Sequence, residues 1–153
     1  MNVAQKTVAV TGAGNGIGRA LTLHLLDKGA RVACIDKDEE GLHETEMEAG
    51  SLAVRFSCHA LDITKNKAIP ALINQILHNH GCIDGLINNA GIIQPFTTVK
   101  DIEMKDIERV MNINFYGTVN MTRAFLPHLL TFAALADLYR FPDRYFTVPQ
   151  KPL

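Results

Sequence analysis

The chain has 153 residues, 47% hydrophobic and 20% charged, and its acidic and basic groups nearly cancel at a net charge of -1. That balance fits one globular domain with a sizeable core, excludes a low-complexity or disordered chain, and lacks the basic excess of a nucleic-acid binder. No apolar run approaches the roughly 18 residues of a membrane span, and Met1–Lys6 is unlike a secretory leader, so a cytoplasmic location is expected. Cys34, Cys58 and Cys82 form no CxxC pair, which points to reduced, mostly buried thiols rather than a zinc site or a disulfide framework.

In chain order, Thr7–Val10 reads as a buried strand running into a glycine-rich stretch. Ile17–Lys28 is an amphipathic helix closed by Gly29. Arg31–Asp36 is a second strand and Asp38–Ala49 a charged helix ending at Gly50. A third strand is expected over Leu52–Ala60, with Asp62 just past its end. Lys65–His80 is an amphipathic helix with Pro70 in its first turns, and Ile83–Asn88 is the fourth strand. Asp106–His128 is helical, in one piece or two, with Gly117 and Pro127 as weak points. From about Thr131 the pattern is lost, so residues 1–130 are expected to form one domain and 131–153 an irregular tail. Strands alternating with helices predict a doubly wound α/β fold, a parallel sheet in the order 3-2-1-4 with helices on both faces.

The stretch Thr11-Gly12-Ala13-Gly14-Asn15-Gly16-Ile17-Gly18 lies between a strand and a helix. Glycines there let the backbone turn tightly and approach a pyrophosphate, which the helix N-terminus then receives with free N–H groups. The spacing Gly12, Gly16, Gly18 is neither GxGxxG nor a P-loop, since Arg19-Ala20 follows where a P-loop has Lys-Ser/Thr. Asp36, ending the second strand, can accept hydrogen bonds from ribose hydroxyls and would repel a 2′-phosphate, which favours NAD over NADP; Lys37 softens that preference. Asp62 can reach an adenine or serve as a cap. His78 and His80 do not share a helix face and read as solvated helix-end residues; His59 stands beside Cys58 on a strand, and no metal site is expected.

These residues resemble the short-chain dehydrogenases/reductases. Thr11-Gly12-x-x-x-Gly16-Ile17-Gly18 is similar to that family's coenzyme motif, with Asn15 inside it, and Leu61-Asp62-Ile63 to its adenine contact. Asn88-Asn89-Ala90-Gly91 resembles its signature turn, and Asn114-Phe115-Tyr116-Gly117 the helix motif that carries the tetrad asparagine. The resemblance spans roughly residues 5–130. It implies a Rossmann-like fold, a nicotinamide dinucleotide as cofactor, hydride transfer to or from a small alcohol or carbonyl substrate, and a proton-relaying water at Asn114. Read from its own neighbours, Asn114 is a polar residue on an apolar helix face and should find backbone or water partners.

The family's remaining catalytic groups do not appear. The serines are Ser51 and Ser57, at or before the third strand, and the residues four beyond Tyr116, Tyr139 and Tyr145 are Asn120, Asp143 and Pro149, so no Tyr-x-x-x-Lys exists. The departure near Thr131 is expected to mark a frameshift, splice form or truncation, leaving a chain inactive on its own. The alternative function is a non-catalytic NAD-binding or interaction module. Exposed apolar surface on the helices of Asp106–His128 is expected to cause poor solubility or self-association, and the fourth strand to form an open edge unless the tail covers it.

Overall fold

Strand β1 (Thr7–Thr11) is buried at every position. An alternation of polar and apolar residues cannot serve such a strand, because both of its faces are covered. In the computed structural model, which describes residues 2–130, it pairs in parallel with β2 (Arg31–Asp36) on one side and β4 (Gly85–Ile87) on the other, and β2 pairs with β3 (Phe56–Ala60). The order β3-β2-β1-β4 is the one the sequence predicts. Val8, Val10, Val32 and Cys34 point to one face, against Leu25 and Leu26 of α1 (Gly16–Asp27) and Leu42 and Ala49 of α2 (Glu39–Ala49). Ala9, Ala33 and Ile35 point to the other. There they meet Ile69, Leu72, Ile73 and Ile76 of α3 (Ile69–His80) and Met121 and Phe125 of α5 (Thr118–Leu129). Each fully buried aliphatic side chain contributes about 2 kcal/mol to this double layer.

The first βα unit ends as its sequence indicates. Gly29, at φ +85°, turns the chain out of α1. Its N–H donates to Leu26 O and the N–H of Ala30 to Leu25 O, both at 3.0 Å, which uses carbonyls the helix end would leave unpaired. The short connection delivers Arg31 into register opposite Thr7.

Several boundaries differ from expectation. β3 starts at Phe56, not Leu52, because residues 50–55 wind into a 3₁₀ turn after Gly50 adopts φ +53°. α3 begins at Ile69, after a short 3₁₀ turn over Asn66–Ala68, with Pro70 in the first turn, where its missing N–H costs nothing. β4 keeps only Gly85–Ile87. The Asp106–His128 region comprises α4 (Met104–Met111), a π-helical turn over Asn112–Gly117, and α5, with Pro127 inside its last turn. Of the cysteines only Cys34 is buried; Cys58 and Cys82 are exposed, and all three are free thiols. The irregular tail expected from residue 131 lies outside the described residues. Among the described residues no helix is long and apolar enough to cross a membrane.

Candidate functional site

The carboxyl ends of β1, β2, β3 and β4 lie side by side along one edge of the sheet, and the loops leaving them build the site. Gly12 and Gly16 sit at φ +69° and +52°, a region that side chains disfavour. A Cβ on Gly12 would come within 2.9 Å of both Ala90 Cα and Asn89 Nδ2, and one on Gly18 would run into the Gly12 carbonyl oxygen. The glycine spacing thus follows from close packing of the loop on the first turn of α1 and on the turn after β4. At Gly16 a Cβ would meet nothing within 4 Å, so only its backbone conformation demands glycine. Asn15 makes no side-chain capping bond and the first turn of α1 holds no acidic residue, so its N–H groups and positive dipole end are left for an anion.

Asp36 leaves β2 with one carboxylate oxygen accepting from the Gly14 N–H at 2.9 Å and the other from the Asp38 N–H at 3.1 Å. It therefore ties the glycine loop to the end of β2 while lining the cavity beside Lys37. Asp62 accepts from the Thr64 N–H at 2.9 Å and the Thr64 hydroxyl at 2.7 Å. Burial works against its charge, yet those two bonds, with Lys65 and Lys37 nearby, hold its carboxyl below the usual range. Ile63 is buried under Gly117, where a Cβ would come within 2.7 Å of it.

The turn after β4 is stitched to β1. The Thr11 hydroxyl accepts from the N–H groups of Asn89 and Ala90, each at 3.0 Å, and Asn89 Nδ2 donates to Thr11 O at 3.0 Å and Gly12 O at 3.2 Å. Asn114, in the π-helical turn, donates to Ile92 O at 2.8 Å and accepts from Ile92 N–H at 2.9 Å. Contrary to a buried amide on an apolar face, Asn114 is exposed; its partner is the backbone of the loop that follows β4.

A cavity of about 350 Å³ joins these parts. Gly12, Asn15, Ile17, Gly18, Asp36, Asp62, Ile63, Asn89, Ala90 and Gly91 all line it. Thr11, Gly16 and Asn114 do not: Thr11 and Asn114 are turned to backbone partners and shape the wall from behind. Sequence reasoning missed the apolar lining residues Ile35, Ile92 and Ile113. Their only signal was that they adjoin residues already singled out. A larger, more open groove of about 710 Å³ runs between Asp62 and α4 and touches none of the glycine loop, so the smaller cavity is the better site. It can take an elongated ligand with an anionic middle, a hydroxyl-bearing sugar at Asp36 and a flat apolar group against Ile35, Leu61 and Ile63. Neither Ser51, Ser57 nor Tyr116 lines it. Among the described residues no His, Cys, Asp and Glu cluster could hold a metal.

A family model described as short chain dehydrogenase matches residues 6–134. The chain belongs to the short-chain dehydrogenase family. Among curated relatives, the Mycobacterium tuberculosis protein SadH is 40% identical over 125 residues, covering 82% of this chain and 45% of its own length. The L-fucose dehydrogenase of Oryctolagus cuniculus is 33% identical over 126 residues, covering 82% and 43%. Among solved structures, an NAD+-bound xylitol dehydrogenase superimposes with a TM-score of 0.81 at 30% identity over 86% of this chain and 50% of that one. The NADH complex of 3-ketoacyl-(acyl-carrier-protein) reductase from Brucella melitensis gives 0.77 at 30% identity, covering 82% and 51%. The chain spans about half the length of the curated relatives it matches. Its sheet and flanking helices are the Rossmann-like fold of those short-chain dehydrogenases.

Proposed function

We propose that this chain binds a nicotinamide dinucleotide, NAD in preference to NADP, as the coenzyme-binding part of a short-chain dehydrogenase acting on a small alcohol or carbonyl compound. The observation that carries this reading is the convergence on one cavity of the glycine loop, Asp36 and the Asn89–Gly91 turn, at the strand ends where open α/β sheets bind ligands. Pyrophosphate falls to the loop and the first turn of α1, the adenosine ribose to Asp36, and the adenine to Ile35, Leu61, Asp62 and Ile63. The nicotinamide side falls to Asn89, Ala90 and Gly91. When bound, the nicotinamide supplies the carbon that gives or takes the hydride. Asn114 acts by fixing the Ile92 loop beside that end. Three free cysteines support a cytoplasmic location.

No Tyr-x-x-x-Lys occurs in these 153 residues, which favours a second reading of the chain taken alone: dinucleotide binding without turnover. Titration calorimetry with NAD and NADP decides the first point. NAD is expected to bind saturably and at least about tenfold more tightly than NADP, a gap of about 1.4 kcal/mol that Asp36→Ala should close. Equal affinities, or no binding, overturn the assignment of Asp36 and of the cavity respectively. Reduction of NAD in the presence of simple alcohols would overturn binding without turnover.

A further inference from the structure

The middle of the glycine loop is held from outside by α2. The carbonyl of Gly14 receives Arg19 Nη2 at 2.6 Å and Nε at 3.2 Å. Arg19 also places Nη2 2.6 Å from Glu44 and 3.3 Å from Gly41 O, and Nη1 2.7 Å from Glu48. Thr45, fully buried, shares its single hydroxyl proton among Gly41 O at 2.8 Å, Ala13 O at 3.0 Å and Gly14 O at 3.4 Å. On the opposite side the Gly14 N–H is taken by Asp36 and the Ala13 N–H by Ile35 O at 3.2 Å. Both peptide groups at the crown of the loop are thus fixed at donor and acceptor. Gly41 makes room for this: a Cβ there would stand 2.7 Å from the Gly14 carbonyl oxygen.

We propose that Arg19 is a positioning residue for dinucleotide binding, a clamp that anchors the Gly14 carbonyl to α2 and so holds the phosphate-receiving loop in its working shape before ligand arrives. The inference rests on the function proposed above. Arg19 does not line the cavity, and its guanidinium is occupied by two carbonyls and two carboxylates, so it is not itself the phosphate ligand. Its side chain is 19% exposed, and its bonds run to the glycine loop and to α2 rather than to a strand. The role needs arginine: a planar fork of five N–H donors can bridge several acceptors at fixed angles, whereas an ammonium group is a single point. Holding the loop in advance spares the ligand the cost of ordering it.

Two readouts on the purified chain test this with Arg19→Met, Arg19→Lys and the double variant Glu44→Gln, Glu48→Gln. The first is hydrogen exchange without ligand. The peptide covering residues 12–18 should exchange about tenfold faster in Arg19→Met while β2 is unchanged. The second compares NAD and ADP, which carry a pyrophosphate, with adenosine, which does not, by ligand-observed NMR and calorimetry. Arg19→Met should weaken NAD and ADP about tenfold and adenosine less than about twofold. Arg19→Lys should not rescue, and the double glutamine variant, which keeps the carbonyl bonds, should lose about threefold. Unchanged loop exchange, or an equal loss for all three ligands with faster exchange throughout, overturns the clamp. A wild-type chain that binds none of the ligands overturns the proposed function, and the exchange data then judge the clamp alone.

Discussion

Ser57, His59 and His80 show at the scale of single residues what chain distance hides. The Ser57 hydroxyl lies 2.8 Å from His59 Nε2 and 2.7 Å from His80 Nε2, and Gln75 Oε1 lies 3.4 Å from His59 Nδ1. If His59 gives its Nδ1–H to Gln75, it accepts from Ser57, which accepts in turn from His80. A neutral pair thus satisfies the row. His78 is exposed as its sequence position suggests, but His80 is buried at 9% exposure, because its partner comes from β3 and not from its own helix. Burial lowers both imidazole pKa values from the ordinary 6.5. The charges of His59 and Arg31 lower His80 further, and only the Gln75 bond raises His59. With folded values below unfolded ones, the unfolded chain takes up protons first, so this contribution to stability is complete above about pH 6.5 and is lost as pH falls through the folded values. Urea midpoints should be flat from pH 8 to 7 and decline toward pH 5; His59→Gln with His80→Gln should flatten that decline, whatever it does to the midpoint at pH 8. A slope unchanged by the double variant would assign the acid sensitivity elsewhere.

Individual elements were legible where a local signal matched the tertiary role. β1 and β2 are apolar runs bounded by turn residues, and Gly29 and Gly50 stop their helices through left-handed backbone. The start of β3 was not legible, since Leu52 and Ala53 pack on the core while wound in a 3₁₀ turn, and apolarity alone cannot tell winding from extension. β4 is shortened by a side chain. Asp84 takes the Thr7 N–H at 2.8 Å and Lys6 Nζ at 3.1 Å, so its carboxylate replaces a rung of the ladder. Within the site, the motif residues were legible and Ile35, Ile92 and Ile113 were not, because apolar lining outside a motif looks like core. The segment after β4 divides by anchorage: α4 has no buried residue, whereas α5 is fastened by Met121 and Phe125, both fully buried. Native-state hydrogen exchange should find α4 opening well before α3 and α5. Phe125→Ala should cost about 4 kcal/mol, against less than about 0.5 kcal/mol for Arg123→Ala on the exposed side. Equal protection of α4 and α5 would show that α4 is held by something other than its own packing.

Taken as a whole, the described molecule has two sheet edges: among the described residues β3 pairs with β2 alone and β4 with β1 alone. The segment after β4 carries many of the exposed apolar groups, among them Met104, Ile107 and Met111 on α4, Phe115 and Tyr116 in the π-helical turn, and Leu126 on α5, while Ile17, Met47 and Val54 are exposed elsewhere. Phe115 and Tyr116 meet edge to face at 5.2 Å, which holds both rings outward as a ready contact. Burying one such helix face against a second copy removes apolar area at about 25 cal/mol per Å², and the surrounding charges do not oppose it, since Lys105 pairs with Glu103 and Arg109 with Asp106. We therefore propose self-association through α4 and α5, and sedimentation velocity should show the average mass rising over about 5 to 200 μM. Met111→Lys with Phe115→Lys places two ammonium groups in the buried interface, where desolvation costs several kcal/mol. The double variant should remain monomeric across that range and keep wild-type affinity for NAD, since neither residue lines the cavity or touches the glycine loop. A wild-type chain that stays monomeric at 200 μM would show that this apolar face needs no copy of itself, and a variant that still associates would move the contact to another surface, such as the sheet edge at β3 or β4.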